Sequence, residues 1–406
     1  MKTNNKCAAV RLEKSKLVAA LAILAVAFVV IAAVPAVVDD SDATGVQVTE
    51  VSTSEALQKA LKNDGNIKLT ANITITSTLN VTGTNTVDLN GFNITGDKVR
   101  VFQVTGKLTL DGNGTITSTE GIIETSSVIR VGSNGSTGTP SIVVKKDVTI
   151  DAPYSHALGL FGKEAKITAD IYGTIQSATG TAVINNGSKD FNSTEITINS
   201  DAVIRSTGTD DSVAIYHPGR GVLNISGGTV EEVGSAIAMK SGTLNVTGGT
   251  ITATGNAVMP PAGYSNGINA SGAAIQIESN KDYYGNPDNT NTAYDSKNAV
   301  TLNITGGTLE SKNAIAIYEY IANNNGSANT SVGTISINNA TLKSALASDI
   351  QVSENCATKN AISIKGGTFS KAIDYTQGIT VSVAVQLSQI VKLYETLGFE
   401  HCNTDF

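Results

Sequence analysis

The stretch Leu244–Ile251 reads LNVTGGTI, and the chain repeats it with small changes. It recurs as LNISGGTV at Leu223–Val230, LNITGGTL at Leu302–Leu309 and ISIKGGTF at Ile362–Phe369. In each copy two apolar residues flank one other residue. A β-strand would send the two to one side and the middle one to the other. Two glycines follow, the residue type that takes positive φ at a tight corner without a Cβ clash. In the longer unit LNISGGTVEEVGSAIAMKSG a further corner falls at Gly234-Ser235 and a third run at Ala236–Met239. Three short strands and three corners in about 20 residues describe one turn of a solenoid.

The same pattern extends in both directions. Rungs are expected to start at Ile67, Val87, Leu108, Val148, Ile167, Ile196, Leu223, Leu244, Leu302, Ile335 and Ile362. The tightest spacings are 20, 21, 19 and 21 residues, and the wider ones, such as 27, 33 and 58, read as the same unit with loops inserted. One rung cannot bury its own apolar face, so neighbours must stack into parallel sheets. The expectation is an all-β solenoid of about eleven rungs, with Leu223, Leu244, Leu302 and Ile362 in one inward column. The GGT element is a corner and not a phosphate cradle, because it lacks the spacing of a P-loop and no helix follows it.

Composition agrees. Of 406 residues, 16% are charged, 5% are aromatic and none is Trp, while 40% are apolar, too many for a disordered chain. The formal net charge is −7. The first 38 residues carry +4 from five bases against Glu13, which leaves −11 on the remainder. An acidic chain without basic patches argues against nucleic-acid binding.

The ends read differently from the middle. Lys2, Lys6, Arg11, Lys14 and Lys16 precede Leu17–Val38, 22 residues without a charge. That run is long enough to span a bilayer and follows a basic flank, so residues 1–43 are expected to be a cleaved signal peptide or a signal anchor that places the rest outside the cell. Cys7 precedes the apolar run, and only Cys356 and Cys402 lie beyond it, so no disulfide framework is expected. Residues 44–66 are expected to hold a cap helix, with Ser52 and Glu55 as a capping box and Gly65 just past its end. The coil should run over 67–380. A second lid is expected within 381–406, from Leu387–Leu397.

The helix SEALQKALKN, then VDLNGFNIT and LTLDGNGTIT, then the LNxTGGT rungs resemble right-handed parallel β-helices of the pectin-lyase-like class. With the leader and the DDSDA after it, the chain resembles adhesin-like surface proteins of archaea. The resemblance covers about Ser52–Gly378. It implies a right-handed parallel β-helix at the cell surface or secreted. The fold also hosts pectate lyases and polygalacturonases, so it does not choose the activity.

Candidate chemistry is sparse. Arg205, Asp210, Asp211, His217 and Arg220 resemble parts of a polygalacturonase site, but the Asn-Thr-Asp element before them is missing and the histidine follows too soon. Adjacent aspartates also point apart, whereas glycosidase carboxylates face each other across a cleft. Asp282, Asp288 and Asp295 could offer oxygen ligands to Ca²⁺, without EF-hand spacing. His156, His217 and His401 lie too far apart in sequence for a zinc motif. No metal or cofactor is expected. Asn-x-Ser/Thr sequons recur, and Asn224, Asn245 and Asn303 should point outward, where an exported chain could carry sugar. Two inserts, Gly255–Asn298 and Ile321–Gly333, interrupt the rungs. Tyr264, Tyr283, Tyr284 and Tyr294 lie in the first, and Tyr318 and Tyr320 lie just before the second. Tyrosines on loops of a rigid scaffold suit glycan or protein contact. The expected function is therefore a non-catalytic, adhesin-like surface protein or envelope component. Its expected partners are glycans or neighbouring surface proteins, and the membrane if the leader stays attached. A lyase or hydrolase of acidic polysaccharide is the alternative.

Overall fold

In a computed structural model the described residues are 47–381, apart from 121–125, 134–135, 137, 163–165, 186–193, 209–211, 259–269, 280–299, 322–333, 353–361 and 372–379. The expected leader (1–43), the expected second lid Leu387–Leu397, Cys356 and Cys402 lie outside the described residues. Among the described residues no helix is long and apolar enough to cross a membrane.

The chain winds as a right-handed parallel β-helix. Among the described residues three parallel sheets of 13, 11 and 10 strands run along the coil, and successive strands visit the first, second and third sheet in turn. The third sheet's 10 strands mark ten complete turns. An eleventh turn contributes Ile362–Ile364 and Thr368–Phe369 to the first and second sheets. The opening phrase is one rung, as read. In the first sheet Ile196, Leu223, Leu244, Leu302, Ile335 and Ile362 stand in register, each no more than 1% exposed. One strand was placed in the wrong sheet by sequence. Val148–Ala152 belongs to the second sheet, and its rung opens earlier, at Ser141–Val144. Both segments alternate apolar and polar residues, so the period of two could not tell one sheet from another.

The corners explain the glycines. In each GGT the second glycine has positive φ: Gly228 +70°, Gly249 +82°, Gly307 +88° and Gly367 +129°. Stacking adds a second constraint, because a Cβ on Gly249 would sit 2.6 Å from the Gly227 carbonyl oxygen of the coil before. Gly249→Ala is expected to cost about 1–3 kcal/mol. The control is Gly65→Ala, where a Cβ meets nothing within 4 Å and φ is not positive. Urea midpoints that shift equally for both variants would refute this account.

The corner between the second and third sheets has its own cap. Ser177 Oγ accepts from Gly180 N and Ser311 Oγ from Ala314 N, each three residues on, whereas Ser344 Oγ accepts from Ala316 N of the preceding coil. Glu232 occupies the same register column, after Ser206 and before Ala253. Its Oε1 accepts from Val233 N, Gly234 N and Ser212 Oγ, and it is only 2% exposed.

At the N-terminal end the strand Val48–Val51 pairs with Gly65–Leu69, so the first sheet starts before residue 67. The helix Ser54–Ala60 follows and buries Leu57, with Leu61 beneath its C-terminal end, in the same core cluster as Val51. Its N-cap is Thr53, whose Oγ1 accepts from Ala56 N at 3.2 Å, not Ser52. Gly65 opens the next strand rather than ending the helix. Ser52, Thr53 and Ser54 can all cap, and only the position at which the chain leaves Val51 decides among them.

Candidate functional site

The outward faces of the three sheets differ in chemistry. The second sheet carries a threonine column, with Thr229, Thr250, Thr308, Thr341 and Thr368 in register. The first sheet carries an asparagine ladder. Asn245 Nδ2 donates to Asn224 Oδ1 at 2.9 Å, and Asn303 Nδ2 donates to Asn245 Oδ1 at 3.0 Å. The three asparagines alternate with buried leucine, isoleucine or valine as expected, but they are half-buried by stacking on one another. The amide nitrogens of Asn245 and Asn303, where a glycan would attach, are already committed to this ladder.

The third sheet is different. Its outward column reads Asn80, Gln103, Arg130, Gly159, Ile184, Tyr216, Ala238, Gln276, Tyr318, Gln351, with no threonine. Several of its strands are buried on both faces, Val213–His217 and Ser235–Met239 along their whole length. Such strands show no alternation, so sequence periodicity says nothing about which residues face out.

A continuous polar network lies on this face. Ser235 Oγ and Ser271 N donate to Gln276 Oε1 at 2.9 and 2.8 Å. Gln276 Nε2 donates to the Tyr320 hydroxyl at 3.2 Å, and that hydroxyl donates to Glu278 Oε2 at 3.1 Å. Lys240 Nζ lies 2.9 Å from Glu278 Oε1, with side chains 1% and 2% exposed. The Tyr216 ring centroid is 5.4 Å from Lys240 Nζ, which suits a cation–π contact. The rings of Tyr318 and Tyr320 stack with centroids 5.6 Å apart. Burial lowers the Lys240 pKa, and Glu278 opposes that shift. Burial, with Glu278 next in effect, holds Tyr320 protonated.

Tyr318 and Tyr320, expected to offer exposed rings, are each 3% exposed. Tyr264, Tyr283, Tyr284 and Tyr294 lie outside the described residues, as do Asp282, Asp288 and Asp295. Among the described residues no group of histidine, cysteine and acidic side chains could hold a metal. The polygalacturonase-like set does not assemble. Arg205 is exposed on the second sheet and bonded to Gln176, whereas His217 is fully buried. His217 shares a register column with the core residue Met239 and faces Asn185, whose Nδ2 is 3.3 Å from His217 Nε2. Asp210 and Asp211 lie outside the described residues. No sequence signal marked Lys240, Gln276 or Glu278, because they come together only when coils separated by an insert stack.

The first insert is not one loop. The strand Ile275–Ser279 lies within it and belongs to the third sheet. The interruptions after Ala253, Ser279 and Ile321 each begin or end on a strand of that sheet. Ser279 and Ile321, the last described residues before two of them, are register partners.

No family model, curated protein or solved structure matches the chain. The stacked parallel strands establish the β-helix architecture alone.

Proposed function

We propose that the chain is a non-catalytic β-helical rod, secreted or held at the cell surface, that attaches to glycans or neighbouring surface proteins in the manner of an adhesin. The third sheet and the segments flanking it form its contact region. One observation carries this reading: the longest interruptions of the coil all border the one sheet whose outward column replaces threonine with tyrosine, amide and arginine side chains. Binding residues tend to lie on such segments, held by a rigid scaffold. The non-catalytic part is supported by the location of His217 in the core, where no polymer lying on the coil's surface would reach it, and by the pairing of Lys240 with Glu278.

The test replaces residues 281–298 with a short glycine-serine link and leaves the strand Ile275–Ser279 in place. The full chain and this variant are applied to an array of neutral and acidic oligosaccharides and to cells. The expected result is binding by the full chain that the variant loses while its melting midpoint stays near that of the parent. Equal binding by both would refute the assignment of the contact region. Release of unsaturated or reducing ends from polyuronate would refute the non-catalytic reading.

A further inference from the structure

The third sheet's outward column has a second polar stretch nearer the N-terminus. Arg100 lies just before the strand Phe102–Val104, and Arg130 lies in the next coil, opposite Gln103. Arg100 is held at three points: Nε donates to Ser127 O at 3.2 Å, Nη1 to Gln103 Oε1 at 3.2 Å and Nη2 to Ser126 Oγ at 2.9 Å. Gln103 is fixed in turn by its own bond to Gly132 O at 2.8 Å. Arg130 is held differently, with its guanidinium carbon 4.3 Å from the centroid of the Phe161 ring. That ring fits only because Arg130's partner in the following coil is Gly159, where a Cβ would meet the ring at 2.5 Å.

Two cations held together without a counter-charge are costly. Burial and then Arg130's charge depress the Arg100 pKa, and burial depresses that of Arg130. Among the described residues neither is in an ion pair, and Arg130 Nε is buried with no hydrogen-bond partner. Lys240, further along the same face, does have its carboxylate. A guanidinium stacked on an aromatic ring keeps its planar fork of N–H donors aimed along its edge, which matches an oxyanion.

We infer that Arg100 and Arg130 form an oxyanion-binding site on the outer face of the third sheet, one that takes the carboxylate or sulfate group of an anionic ligand. Phe161 and Gln103 act as positioning residues. This site is tested by substituting its arginines and the flanking segments by replacing residues 281–298, so either proposal can fail without the other.

The test follows the melting midpoint of the full chain at constant ionic strength during titration with glucuronate, glucose 6-sulfate and neutral glucose. A rise with at least one anion and none with glucose is expected, and the stronger of the two anions identifies the group. Arg130→Gln and Arg100→Gln should each weaken apparent affinity about ten-fold or more, because charge-assisted bonds are lost. Arg100→Lys should also weaken it although it keeps the charge. Arg205→Gln, on the second sheet, should respond as wild type. Without ligand, Arg130→Gln should melt no lower than the parent, since it relieves repulsion, and a purely structural arginine would not behave so. A flat response to both anions, a wild-type response from Arg130→Gln, or an equal loss in Arg205→Gln would overturn the assignment.

Discussion

Lys240→Met is expected to lower stability by about 3–5 kcal/mol, the cost of leaving a buried charge without its partner. Lys240 directly follows the strand Ser235–Met239 and Glu278 lies in the adjacent strand Ile275–Ser279, with almost no exposure of either side chain. Removing the ammonium takes away the ion pair, while the Tyr320 hydroxyl still donates to Glu278 Oε2. Methionine fills similar volume, so packing contributes little to the change. Adding Glu278→Gln should recover most of the loss, because an amide can still accept from Tyr320 without carrying a charge. A coupling above about 2 kcal/mol in the double-mutant cycle, measured by urea unfolding, is the expected result. Additive losses would mean that the pair does not act as a unit. A loss below about 1 kcal/mol would mean that the site is solvated.

The second large effect is in pH. Burial raises the Glu232 pKa from 4.5 to about 7, against hydrogen bonds that lower it. Burial lowers the His217 pKa from 6.5 to about 4. For Glu232 the folded state keeps a proton that the unfolded chain releases, so its contribution makes stability fall as pH rises from about 4.5 to about 7. For His217 the unfolded chain binds a proton that the folded state refuses, so its contribution makes stability rise from about pH 4 to 6.5. The two slopes oppose each other across most of that range, each integrating to about 3 kcal/mol. Asp349, raised by burial, adds to the first, and His156, lowered by burial, adds to the second. Wild type should therefore vary little between pH 4.5 and 6.5. Glu232→Gln should expose the histidine slope, with stability climbing towards pH 6.5. His217→Met, the residue the next coil places in the same column, should expose the opposite slope. Denaturation profiles of both variants that keep the wild-type shape would refute both assignments.

The repeated phrase was enough to define the rung. LNVTGGTI contains a strand of period two and a corner that needs positive φ, and stacking copies puts Leu223, Leu244, Leu302 and Ile362 in one column whatever else the chain does. The fold class, the turn glycines, the rung count and the N-terminal helix all follow from local patterns that nearest neighbours reinforce. The helix cap was legible only to within a residue, because Ser52, Thr53 and Ser54 are chemically equivalent there. The run Ala236–Met239 was legible as a strand of the third sheet, but tertiary structure decided which of that sheet's residues face out and what they meet. Its strands are apolar on both faces, so alternation disappears, and VAIYH gives no sign that His217 faces the core while Tyr216 faces out. The polar groups that meet on its outer face are far apart in sequence: Lys240 and Glu278, Gln276 and Tyr320, Arg100 and Ser126. They become neighbours because each turn of the coil brings a new strand alongside the last, and the inserts between turns lengthen the sequence without changing that register.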